Sequence, residues 1–99
     1  MTPKLPPVHP GEILREEFLK PFGLSAGAVA RAIGVPRTRI ERLATGQTEL
    51  TPDTALRLAR FFGTTPDFWM NLQGRYSIET AEDALGDTLD RIEPLKRAS

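Results

Sequence analysis

The side chains best suited to chemistry with a partner sit in residues 36–48, PRTRIERLATGQT, where arginines recur around two apolar positions. Ile40 and Leu43 lie one helical turn apart and face inward. That leaves Arg37, Thr38, Glu41 and Arg42 on the outward face and Arg39 on its flank. A guanidinium presents a planar fork matching the paired acceptors of a guanine edge, each good contact discriminating by about 1–3 kcal/mol. Thr38 suits a thymine methyl or a phosphate. Glu41 can accept from cytosine or, four residues after Arg37, hold that arginine in place. The pattern assigns Arg37 and Arg42 to base edges and Arg39 to phosphate. Thr45, Gln47 and Thr48 follow the helix end, and are either phosphate contacts through hydroxyl, amide and backbone groups or plain loop. The same residues would also make an ordinary solvated helix face, so the elements around them decide.

Those elements form a helix, a tight turn and a second helix in LSAGAVARAIGVPRTRIERLATG, residues 24–46. Ser25 is a good N-cap, and Val29, Ala30 and Ile33 make the inward face of the first helix. Ala30 sits where two helices must approach closely. Gly34 can adopt positive φ at the turn without a Cβ clash. Pro36 fits the first position of the next helix, where its missing N–H is no loss, and Gly46 closes that helix. This is the helix-turn-helix pattern, whose second helix enters the major groove of double-stranded DNA.

The remaining chain supplies a frame. Residues 1–8, with Pro3, Pro6 and Pro7, read as an extended arm. His9-Pro10-Gly11-Glu12 reads as a helix start. Ile13, Leu14, Phe18 and Leu19 then form an apolar face, with Arg15, Glu16 and Lys20 outside and Pro21 as the stop. Thr51-Pro52-Asp53 opens a fourth helix that Gly63 ends, and Thr65-Pro66-Asp67 opens a fifth that Gly74 ends. In each, threonine caps, proline fills the first position and aspartate meets the helix dipole. Ala55, Leu58, Ala59 and Phe62 face the core in one, and Phe68, Trp69 and Leu72 in the other. A sixth helix is expected from Ser77 to Ile92, with Ala81, Ala84, Leu85, Leu89 and Ile92 as its stripe and Gly86 weakening it by about 1 kcal/mol. Lys96 to Ser99 should be frayed. No alternating strand pattern of useful length appears, so the fold expected is all-α, a bundle of five to six helices. It divides into the arm 1–8, a DNA-binding domain 9–74 and an acidic helix with its tail, 75–99.

Composition narrows the function. Thirteen basic and 13 acidic residues give a net charge of zero, unlike most DNA-binding proteins. The charges are segregated, however. Arg31, Arg37, Arg39 and Arg42 face one acid, Glu41, between residues 23 and 48, whereas Glu79, Glu82, Asp83, Asp87, Asp90 and Glu93 face Arg91 alone between 76 and 95. With no cysteine and one histidine, His9, no zinc site is plausible. The acidic spacing is no EF-hand loop, and no nucleophile pattern or phosphate loop is present. Neither a catalytic site, a metal nor a cofactor is therefore expected. No run is apolar and long enough to span a membrane, and no signal peptide is recognisable, which makes the cytoplasm the expected location.

Three segments together, HPGEILREEFLKPFGLS, GVPRTRIERLATG and LTPDTALRLARFFGTTPDFWMNLQ, resemble the XRE-type helix-turn-helix proteins and, within them, the HigA-type antitoxins. The similarity spans residues 9–73, and its most specific part is the pair of threonine–proline starts followed by Phe-Trp and Asn-Leu-Gln. The resemblance implies a lambda-repressor-like fold and a homodimer on a palindromic operator. It also implies repression of the protein's own operon as the antitoxin of a type II toxin–antitoxin module, and neutralisation of a HigB-like ribonuclease toxin. A stand-alone regulator without a toxin, or a toxin-masking module that binds DNA weakly, are the alternatives. One departure concerns the start of the second helix. Related domains often carry a DNA-contacting glutamine there, where this chain has Ala26 followed by Gly27, leaving backbone amides as the phosphate contact.

Overall fold

The computed structural model describes residues 5–96; the expectations for residues 1–4 of the arm and 97–99 of the tail lie outside them. Residues 10–22 form one continuous helix, α1, in three hydrogen-bonding registers. It is α-helical over Pro10–Ile13, π-helical over Leu14–Leu19 and α-helical again over Lys20–Phe22. His9 opens it, its Nδ1 accepting the Gly11 N–H at 2.9 Å. Pro21 does not stop the helix, contrary to the sequence expectation. The Lys20 N–H bonds to the Arg15 carbonyl, five residues behind, and this wider turn accommodates a ring that would clash in a regular α-helix. The helix ends instead at Gly23, where φ is +63° and the Leu24 N–H closes on the Leu19 carbonyl at 2.8 Å.

Helix α2 (Ala26–Ile33) starts at Ser25, whose hydroxyl accepts the Ala28 N–H at 3.0 Å. Gly34, at φ +75°, makes the turn, and α3 (Arg37–Ala44) follows. Pro36 is the residue before this helix rather than its first member: its ψ of 144° is extended and carries the chain round the corner. Helices α4 (Pro52–Phe62) and α5 (Pro66–Leu85) open as the repeated punctuation predicts. Thr51 Oγ1 accepts from the Thr54 N–H, and Thr65 Oγ1 from the Phe68 N–H.

Gly74 does not end the fifth helix, and no separate sixth helix runs from Ser77 to Ile92. Gly74 has no positive φ, and α5 passes through it for 20 residues. Contacts on either side fasten it: Gln73 bonds to Leu50 and Ser77, and Tyr76 meets the His9 ring edge-on at 4.8 Å. These outweigh the roughly 1 kcal/mol that glycine forfeits in a helix. The helix stops at Gly86, where φ is +52°, and a 3-10 segment, Gly86–Arg91, follows. Gly86 thus terminates the helix it was expected to weaken.

Leu14, Val29, Ile40, Ala55, Leu58 and Trp69 lie at the centre of the core. Phe18 packs against Phe62 and Trp69 with ring centroids 4.7 and 5.0 Å apart. The Trp69 indole N–H donates to Thr64 Oγ1 at 2.8 Å, so its one polar atom is satisfied inside the core. The expected inward residues of α2, α3 and α4 are buried or half-buried as read. The stripe beyond Gly74 is not: Ala81, Ala84, Leu85, Leu89 and Ile92 are all exposed. Five helices and no strand occur among the described residues, an all-α fold.

Candidate nucleic-acid interface

Both ends of the turn motif are fixed from outside. At the C-terminus of α3, an added Cβ on Gly11 would overlap the Leu43 carbonyl oxygen, so the backbones of α1 and α3 touch there. Arg15 Nη1 donates to the Ala44 carbonyl at 2.6 Å, satisfying one of the acceptors that a helix end leaves unpaired. Arg15 is therefore partly buried and structural, not on an outer face as its helical spacing suggested. At the turn, Arg57 Nη1 donates to the Ile33 carbonyl at 2.7 Å. The buried Gln73 Oε1 accepts the Leu50 N–H at 2.7 Å and pins the loop between α3 and α4. Gly11, Arg15, Gln73 and Arg57 carry no signal in periodicity alone. The visible hints were a glycine in a helix's first turn and a glutamine in an otherwise apolar stretch.

On the outward face, the Arg37 side chain is 71 % exposed and its Nε lies 3.5 Å from Glu41 Oε2, the holding geometry that the four-residue spacing anticipated. Its stem crosses the start of α2, where a Cβ on Gly27 would come within 3.1 Å of Arg37 Cδ. Ala26 and Gly27 thus sit half-buried beside the outward face, and the small residue leaves Arg37 room to lie flat. Thr38 and Arg42 are exposed and line, with Arg39, Thr48, Thr51 and Asp53, an open concavity of about 660 Å³ beside α3.

Arg39 is engaged. Its Nη1 donates to Asp53 Oδ1 at 2.9 Å, and the same oxygen accepts from Arg57 Nε at 2.8 Å. The hydrogen bond from Arg57, joined by that from Arg39, holds the Asp53 carboxyl below the usual aspartate range. Beyond the helix, Thr45 Oγ1 donates to the Glu41 carbonyl at 2.9 Å and accepts from Gln47 Nε2 at 2.9 Å. Thr45 thus finishes α3 and Gln47 steadies Thr45, while Thr48 is exposed. Arg37 lies against Glu41 and against Gly27 at the start of α2, whereas Thr38 and Arg42 share the concavity beside α3 with Arg39, which also pairs with Asp53 of α4.

A short helix carrying exposed arginines, locked at its C-terminus by α1 and at the preceding turn by α4, is the reading half of a helix-turn-helix unit. The helix-turn-helix family model matches residues 16–69. Virulence-associated protein I of Dichelobacter nodosus is 51 % identical over 80 % of this chain and 73 % of its own length. Antitoxin HigA-1 of Vibrio cholerae is 36 % identical over 90 % of this chain and 84 % of its own. Among solved structures, Pseudomonas aeruginosa antitoxin HigA with the higBA promoter superposes with a TM-score of 0.87 at 46 % identity, covering 91 % of this chain and 99 % of that one. The chain belongs to the HigA-type antitoxins of the XRE helix-turn-helix family. Among the described residues, no helix is long and apolar enough to cross a membrane.

Proposed function

We propose that the protein is a DNA-binding antitoxin that represses its own operon and neutralises a HigB-like toxin, acting in the cytoplasm as a homodimer and not as an enzyme. The observation that carries the reading is the exposed pair Arg37 and Arg42 on a rigidly held α3, in a chain close in fold and sequence to an antitoxin solved with its promoter. Two copies would set two α3 helices about one DNA turn apart on a palindromic operator. In this reading Arg37 and Arg42 reach base edges, Thr38 touches a methyl or phosphate, and Glu41 orients Arg37. Arg39 takes a phosphate by exchanging Asp53 for it. Backbone amides at Ala26 and Gly27, and the Thr45–Thr48 loop with Gln47, lie along the sugar–phosphate chain.

Fluorescence anisotropy on the upstream region of the gene tests this. Arg37→Ala and Arg42→Ala should each lose about 1–3 kcal/mol, roughly 5- to 150-fold, on the operator, and much less on scrambled DNA. If the double variant binds the operator as tightly as the parent at every salt concentration, the assignment of α3 to the DNA is wrong.

A further inference from the structure

Arg31 takes part in none of the contacts described above. It stands two residues from both Val29 and Ile33, about 200° round α2 from each, and is exposed on the side away from the core. Lys20, Arg37, Arg57 and Arg75 each pair with an acid one helical turn away on their own helix. Arg31 has no acid three or four residues away in either direction. Among the described residues its guanidinium enters no ion pair or hydrogen bond.

The guanidinium is placed all the same. Helix side chains lean back toward the N-terminus, and Arg31 reaches over Gly27, one turn behind it. A Cβ on Gly27 would stand 3.9 Å from Arg31 Nη1 and 3.1 Å from Arg37 Cδ. Gly27 has no positive φ that would call for glycine, and glycine weakens a helix relative to alanine. What the missing side chain provides is room for two arginines, one from each helix of the turn motif, to lie side by side. Like charges so close repel, and Glu41 lies against Arg37, which leaves Arg31 uncompensated. A phosphate meets such a guanidinium with two parallel hydrogen bonds.

We propose that Arg31 is a further DNA contact, a phosphate ligand that reaches over Gly27 to the strand beside the groove α3 enters. The inference rests on the DNA-binding reading of the preceding section, in which Gly27 lies along the sugar–phosphate chain. Arg31 and Arg37 then divide the work across one small residue. Arg31 takes the phosphate, and Arg37, whose stem occupies the other side of Gly27, keeps its fork for base edges. Gly27 is a positioning residue that acts through both arginines, since any side chain there would crowd them apart.

Fluorescence anisotropy of the full chain on its operator and on a scrambled duplex, across a salt series, tests this. Losing one phosphate contact lowers the slope of log affinity against log salt by about 0.9. Arg31→Ala should therefore bind both duplexes about fivefold more weakly near 0.15 M salt and about fifteenfold near 0.05 M. Arg31→Lys keeps the charge and should keep the slope. Thermal melting of Arg31→Ala should match the parent, because the side chain makes no bond within the chain. Gly27→Glu sets a carboxylate between the two guanidiniums and should weaken both duplexes by about tenfold or more. Methylphosphonate substitution along the operator then locates the contact: neutralising that one phosphate should weaken the parent and leave Arg31→Ala unchanged. An Arg31→Ala slope equal to the parent's, a Gly27→Glu protein as tight as the parent, or an Arg31→Ala protein sensitive to every phosphate the parent needs would each overturn the proposal while leaving α3 on the DNA. A parent without salt-dependent affinity for the operator would overturn the DNA reading as well.

Discussion

Replacing Gln73 with Met tests whether the loop after α3 is held by one buried hydrogen bond. Gln73 is 6 % exposed, and its Oε1 accepts the Leu50 N–H at 2.7 Å. Methionine keeps nearly the same volume and length but offers no comparable acceptor, so packing is preserved and the Leu50 N–H is stranded beside a side chain only 2 % exposed. Water cannot replace the lost partner there. The lost bond from Nε2 to Ser77 Oγ matters less, because Ser77 is exposed and its hydroxyl can turn to solvent. An unsatisfied buried donor costs about 1–3 kcal/mol, and a domain of this size loses about 4–8 °C of Tm per kcal/mol. Thermal unfolding at fixed protein concentration should therefore show a fall of roughly 5–20 °C, with faster exchange of the Leu50 amide proton. Concentration is held fixed because the Tm of any self-associating chain depends on it. A Gln73→Met protein that melts within about 1 °C of the parent and keeps the Leu50 amide protected would refute the reasoning, since either result means the loop is held by other contacts.

Gly11→Ala pushes a methyl group into the Leu43 carbonyl, and chemical denaturation should show a loss of at least about 1–3 kcal/mol as α1 and α3 separate. Arg39→Ala should weaken operator and scrambled DNA alike and lower the slope of log affinity against log salt by about 0.9, one phosphate contact; an unchanged slope would remove Arg39 from the backbone contacts. Asp53 has a folded pKa below its unfolded value near 3.8, so it contributes stability that is complete well above 3.8 and lost as pH falls through the lower folded value. The stability gap between the parent and Asp53→Asn should accordingly be constant above about pH 5 and close in stronger acid; a gap independent of pH would show that the ion pairs with Arg39 and Arg57 are not its source.

Most of the frame was legible because it rests on local chemistry. Caps at Ser25, Thr51 and Thr65, the turn at Gly34 and the inward faces of α2 to α4 depend on residues within one or two turns of each other. The misreadings of Gly74 and Arg15 involve contacts from further away, whereas the stripe of Ala81, Ala84, Leu85, Leu89 and Ile92 is exposed along its whole length. Pro21 and Gly74 are breakers in isolation, but a π-helical register accommodates the first and the Gln73–Leu50 and His9–Tyr76 contacts carry the helix through the second. Arg15 looks like a surface cation by spacing, yet it caps α3 from a helix 29 residues away; Arg39 is exposed as read and in addition pairs across 14 residues with Asp53. Within the candidate site, the outward residues of α3 were readable from two apolar neighbours. What holds that helix was not, because Gly11 and Arg57 act on backbone carbonyls that no sequence pattern displays.

The same distinction between near and far resolves the charge of the protein. A net charge of zero would deny a uniformly charged sphere any attraction to DNA, but screening in physiological salt limits each charge to about 8 Å. Arg37 and Arg42 act within that range of α3. Glu82 and Asp83 lie 13 and 14 residues along α5 from the buried Trp69, or about 20 Å at 1.5 Å per residue, and the acids beyond Gly86 continue outward from there. If α3 docks on DNA as proposed, the local charge of Arg37 and Arg42, not the zero sum over the chain, sets their attraction to it.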